Sequence, residues 1–349
     1  MNTIIKIIIF SFLTLFGSCS HHSGMEKHQN KRNHIVNVQE KVKEIVIEDV
    51  LINRNARIYI FNQYLIIQDN LEYNDKFIRI FDKNNFKYIT GIGNRGPGPY
   101  EIATPGLIEG NEDERVLYVA DYGQFKILRY ELDSVLANPD YVSKEYRKIN
   151  PAIIPRHYIT INDTLSIGHF FRPTEGSDYS IVAGKYNMLT GEITLLNAHE
   201  HPQIGIKRSG FTASLEYGIY IECYWHNDLM AIYDLDGGIK YYVYGRKWDT
   251  DSKKGRILFY GDVKICKDKI VALYADGGDN YIYNQTGAIV DGNFQTQFII
   301  FDINGDYIQT LETGHQISRF CYDKDNNRII MAFQNDEIQF AYLELDGII

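Results

Sequence analysis

The chain lacks a long hydrophobic run, a cysteine framework, a surplus of positive charge and any extended helical pattern. Each absence excludes something. The apolar run Ile7–Phe16 falls short of the roughly 20 residues that cross a bilayer, but it suits the core of a secretory signal. Four cysteines, Cys19, Cys223, Cys266 and Cys321, are too few for a disulfide-dense scaffold, and their spacings match no zinc pattern. The last three sit inside apolar-aromatic segments and are expected as buried free thiols, with a Cys266–Cys321 pair as the alternative. Lysine and arginine number 36 against 45 acids, a net charge of −9, with no basic stripe beyond Lys27–Arg32. Nucleic acid is therefore excluded as a partner, because it demands a concentrated positive footprint. No Gly-x-Ser-x-Gly elbow, His-Glu-x-x-His helix or phosphate-binding loop occurs.

Aromatics are plentiful instead, with 27 tyrosines and 18 phenylalanines, which favour half-buried pleated surfaces. From residue 42 onward the chain reads as short alternating runs ended by Asp, Asn or Gly, the pattern of an all-β protein. One element recurs, an aromatic or Leu, then an acid or Asn, then a turn residue. It begins at Phe81, Tyr130, Tyr186, Tyr233, Phe301 and Leu343, spacings of 49, 56, 47, 68 and 42 residues. Repeats of about 40–50 residues built from strands indicate propeller blades, here six. Each copy suits a hairpin, because the Asp or Asn side chain caps its own turn while Gly or Asn supplies positive φ. Blade four shows the unit whole: Phe211–Glu216, Ile219–Tyr224, Leu229–Tyr233 and Ile239–Tyr244. The sixth signal lies at the end of the chain, so the last blade is one strand short. An unused segment, Val42–Glu48, precedes the first blade. The expected architecture is an all-β, six-bladed propeller over 42–349, its last blade closed by the N-terminal strand.

Residues 1–18 read as a signal peptide. Phe16-Gly17-Ser18-Cys19 resembles the lipobox of bacterial lipoproteins, which makes Cys19 the expected lipidation site. Residues 19–41 are polar, carry His21, His22, His28 and His34, and are expected as a flexible tether. The expectation is an outer-membrane lipoprotein facing the periplasm, since the residues after Cys19 lack an acidic cluster, with the cell surface as the alternative.

Gly91-Ile-Gly-Asn-Arg-Gly-Pro-Gly-Pro-Tyr-Glu-Ile-Ala-Thr-Pro105, followed by Val116–Asp121, resembles an NHL-type propeller repeat. With six blades and the lipoprotein signal, the chain resembles the TolB-like propeller lipoproteins of Bacteroidetes, most of which have no known activity. Gly91, Gly93 and Gly96 also spell a dinucleotide fingerprint, but Pro97, Pro99 and Pro105 prevent the helix it requires. Asp323, Asp325 and Asn327 imitate a calcium loop without its Gly and distal Glu, and a tight turn explains them better.

In a four-stranded antiparallel blade, the loop from second to third strand and the crossing to the next blade share one face, here termed the crossing face. The repeated hairpins emerge on the other. Candidate ligand residues gather on the crossing face: Arg95, Tyr100 and Glu101; Arg172 and Glu175; Tyr224, Trp225, His226 and Asp228; and an insertion, Ala275–Thr296. The function expected is a non-catalytic binding or scaffold module for an envelope protein, peptide or glycan, without cofactor or metal. The alternative is a metal-dependent hydrolase or lyase working at the central channel.

Overall fold

Six antiparallel sheets make the blades of a propeller in the computed structural model, which describes residues 24–70, 75–138, 140–162, 164–174, 179–196, 201–204, 207–248, 258–278, 282–283, 289–291, 295–333 and 337–349. Blade one is Arg57–Phe61, Tyr64–Gln68, Lys76–Asp82 and Tyr88–Asn94. Blade two is Pro105–Asn111, Val116–Asp121, Lys126–Glu131 and Lys144–Lys148, with the short helix Leu132–Ala137 before its last strand. Blade three is Ile154–Thr160, Leu165–Pro173, Tyr179–Asn187 and Ile193–Leu195. Blade four is Ser209–Ser214, Ile219–Tyr224, Leu229–Asp234 and Ile239–Tyr244, close to the strands expected from sequence. Blade five is Leu258–Cys266, Lys269–Gly278, Gln297–Asp302 and Tyr307–Glu312. Blade six has Ile317–Asp323, Arg328–Phe333 and Phe340–Glu344 from the C-terminus.

The repeated element ends the third strand of every blade. Asp234 Oδ1 accepts the backbone N–H groups of Asp236 (2.9 Å) and Gly238 (2.8 Å), and Asp302 Oδ1 accepts those of Asn304 (2.9 Å) and Asp306 (2.8 Å). Gly237 (φ 93°) and Gly305 (φ 86°) take the left-handed conformation these turns need. Blade two departs from the rule: Glu131 leads into the helix instead of a tight turn.

The second strands are buried on both faces, because each blade is sandwiched between two others. Six apolar clusters fill the six blade interfaces. Between blades one and two, Ile66 and Phe77 meet Leu117 and Val119; between six and one, Ile330 and Phe340 meet Ile58 and Leu65. Each such side chain, fully buried, contributes about 1.5–3 kcal/mol. Cys223, Cys266 and Cys321 are buried free thiols in these layers.

The ring closes as expected, though by a shorter strand. Lys43 and Glu44 pair with Tyr342 and Ala341, and the Ile45 N–H donates to the Phe340 carbonyl (2.9 Å). Ile45 packs between blades six and one, whereas Val46 is 63% exposed. The tether expectation needs correction over residues 24–41. Glu26–His28 adds a fifth, parallel strand to blade four, and Ile35–Asn37 does the same for blade five. Between them, Arg32 enters the cleft between these blades, and Val38 is buried where five meets six. The segment is a strap, because alternate apolar side chains and one arginine find unoccupied edges and a buried carboxylate. Residues 1–23, with the signal and Cys19, lie outside the described residues.

Candidate functional site: the central channel

The first strand of each blade walls the axis, and its inward side chains line a cavity of about 430 Å³. Among the described residues, seven of those side chains are Arg, Lys, His, Asp or Glu. Arg57 comes from blade one, Glu109 from two, Arg156 and His157 from three, Asp262 and Lys264 from five, and Arg319 from six. Four cations thus face two carboxylates inside a chain of net charge −9. First strands run from the crossing face inward. Arg57, Arg156 and Arg319 stand at or near their starts, whereas Glu109 and Lys264 lie further along. Tyr122, Phe171 and Trp225 line the same cavity from the ends of second strands. The Arg156 guanidinium lies 5.2 Å from the Trp225 ring and 5.7 Å from that of Phe171, within range of a cation–π attraction.

Charge balance in the channel is poor. Arg156 donates to the Ser209 carbonyl (3.3 Å), but neither it nor Arg319 has a described carboxylate within 4.0 Å. Burial, then the neighbouring Arg57 and Arg156, lower the Arg319 pKa to about 10. Burial first, and Arg57 among its neighbours, lower Arg156 as well. Asp262 is engaged by Lys264 Nζ (3.0 Å) and the Val263 N–H (2.9 Å). Glu109 sits 3.9 Å from His157; burial pushes its pKa up to about 8, against the pull of Lys264. Burial also drives His157 well below its ordinary value, so it is neutral. The crossing-face half of the channel therefore carries net positive charge at neutral pH.

Residues 46–140 match the DUF5128 family model, described as a 6-bladed beta-propeller. No curated protein matches the chain significantly. Among solved structures, a presumed exported protein from Bacteroides fragilis is similar over 91% of this chain and 98% of its own, at 11% identity and a TM-score of 0.53. A member of the DUF4221 family from Bacteroides vulgatus covers 87% of this chain and 98% of its own (10% identity, TM-score 0.55). A luciferin-regenerating enzyme covers 86% and 94% (10% identity, TM-score 0.54). At such identities the likeness is one of fold alone.

The residues expected from sequence fall into different environments in this six-bladed propeller. Trp225 lines the channel, and Tyr100 and Arg172 are exposed on the crossing face. Arg95 lies 3.9 Å over the Phe77 ring, and His226 is half-buried in the loop after the second strand of blade four. Glu101 turns back on its own loop, accepting the Gly98 N–H (2.8 Å), and a Cβ at Gly96 would overlap its carboxylate. Tyr224 is buried between blades three and four beside Glu222, and Asp228 is fully buried on Arg32 (3.0 Å) and the Lys247 N–H (3.0 Å). Neither of these two reaches a ligand surface. Glu175 and half of the Ala275–Thr296 insertion lie outside the described residues. The crossing from blade one to blade two is held by Asp121, which accepts the N–H groups of Ala103, Thr104 and Gly123 at 2.9–3.1 Å. Asp323, in the calcium-like segment, is neutralised by Lys83 (2.9 Å) and Arg328 (2.9 Å).

Apart from Trp225, the channel residues escaped the sequence reading. The available signal was an arginine near the start of three first strands, but using it required the inward register of each strand.

Proposed function

We propose that the protein is an exported, lipid-anchored binding propeller of the cell envelope that receives its ligand at the crossing-face mouth of the channel. The observation that carries this reading is the open cavity itself, where arginines from three blades meet the rings of Tyr122, Phe171 and Trp225. Concave, aromatic-lined sites with a few convergent polar groups are what ligand recognition uses. Export and anchoring draw on Ile7–Phe16 and Cys19, and the Bacteroides fragilis neighbour named as presumed exported fits that setting. The partner class is an envelope peptide, protein or glycan.

The binding reading is tested by probing glycan and peptide arrays with the labelled protein. Trp225→Ala should lose the wild-type pattern, while an Asp82→Asn/Asp302→Asn hairpin control keeps it. The reverse pattern would move the site to the hairpin face. Anchoring is tested by Cys19→Ala, which should shift the protein from membrane to soluble envelope fraction, since stable attachment needs more than one acyl chain.

A second reading, a hydrolase or lyase in the same channel, draws on Glu109, which is held protonated near neutral pH as a general acid requires. A metal-dependent version needs a donor set, and among the described residues no three His, Cys, Asp or Glu side chains converge. Consumption of array ligands would favour this reading.

A further inference from the structure

Resting on the channel as the binding site, we infer that its mouth is an oxyanion site. The guanidinium groups of Arg57, Arg156 and Arg319 take a carboxylate, phosphate or sulfate group of the ligand, whose apolar or ring body lies against Tyr122, Phe171 and Trp225.

The fold pairs several of its buried cations with carboxylates. Arg32 is paired with Asp228 at 3.0 Å, Lys83 with Asp323 at 2.9 Å, Lys207 with Glu222 at 2.5 Å and Arg328 with Asp323 at 2.9 Å. Arg156 and Arg319 have no such carboxylate, and unlike Lys126, whose buried ammonium is met by the Gly98 and Pro99 carbonyls and the Gln124 side chain, they line an open cavity. They come from different blades, so no local structure forces them together, and their like charges oppose one another across the channel. Asp262, the acid closest to both in electrostatic effect, is already engaged by Lys264. Like charges gathered around one carboxylate that is already engaged cost stability, and an arriving oxyanion removes that cost. Arginine suits the task, because its planar fork donates two parallel hydrogen bonds to a carboxylate or phosphate. The neighbouring rings explain why the ligand is larger than a bare ion.

The test uses fluorescence. The chain has two tryptophans, so Trp248→Phe leaves Trp225, 5.2 Å from Arg156, as the sole emitter. Quenching by iodide, caesium and neutral acrylamide then reads the local potential and access. Iodide should outperform caesium at least about three-fold despite the protein's net negative charge. Arg156→Gln and Arg319→Gln, each melting close to the parent, should roughly halve that advantage, and the double variant should abolish it. Sodium benzoate or inorganic phosphate should protect Trp225 saturably, whereas neutral benzamide should not. Stronger protection by benzoate marks a carboxylate site, and stronger protection by phosphate a phosphate site. The inference falls if caesium matches iodide, if the arginine variants leave the ratio unchanged, if benzamide protects equally, or if the anions only screen without saturation. Failure of acrylamide to reach Trp225 is a different outcome, since a shut mouth sinks the binding reading itself.

Discussion

Arg32 donates to Asp228 Oδ1 and to the Tyr260 hydroxyl, both at 3.0 Å, with 6% and 0% exposure for the two charged side chains. Burial alone would lower its pKa, but Tyr260 and Asp228 outweigh that and raise it. Arg32→Ala strands a buried carboxylate, so a loss of about 3–5 kcal/mol is expected in urea unfolding. Adding Asp228→Asn should recover part of it; equal losses would mean that only packing was removed. A second buried group sets acid stability. Glu222 accepts from His169 (2.7 Å) and Lys207 (2.5 Å). Burial would raise its pKa, but these partners pull it down to about 2; burial lowers His169 to about 4. Both groups bind fewer protons when folded, so their stability is present at neutral pH and drains away as pH falls from about 6.5 towards 2. Glu222→Gln should flatten that slope in melting curves across the range, and an unchanged slope would contradict the assignment. None of this was visible locally. Asp228 sits in a loop rich in Tyr, Trp and His, and nothing in that loop announces a partner 196 residues earlier.

Among the elements, the hairpins were legible and the strap was not. A turn is written within about six residues, where the Asp302 carboxylate can reach only its own backbone. Asp302→Ala should therefore cost about 1 kcal/mol by thermal unfolding, through loss of the bonds that cap the turn. The strap spans a polar segment whose three-residue strands carry too little pattern to register, and its pairing sites lie on blades four and five. Docked backbone resists proteolysis, whereas a tether would be cut at once. Lys27, Lys31, Arg32, Lys41 and Lys43 are all trypsin sites, so native protein should stay intact over 24–44 under brief digestion. Arg32→Ala should open the segment to cleavage. Rapid cutting of the wild type would show that the strap does not hold.

At the scale of the whole molecule, closure joins chain ends about 300 residues apart, through Lys43–Glu44 on Tyr342 and Ala341 and the Lys43–Glu344 ion pair at 2.9 Å. Deleting residues 42–48 should bare the edge of blade six and uncover the apolar layer that Ile45 seals, giving a lower melting temperature and aggregation. A variant that melts like the full chain would show that the ring closes without this strand.

The sequence by itself determined blade number, hairpin positions, the buried state of the cysteines and the need for an N-terminal closing strand. Each follows from local turn chemistry or from counting strands, which depend only on neighbours along the chain. Tertiary structure alone decided that Arg57, Arg156 and Arg319 share one channel, that Asp228 serves the strap, and that residues 24–41 are docked. Those outcomes depend on the radial geometry of six blades, which brings distant first strands onto one axis and leaves particular outer edges open.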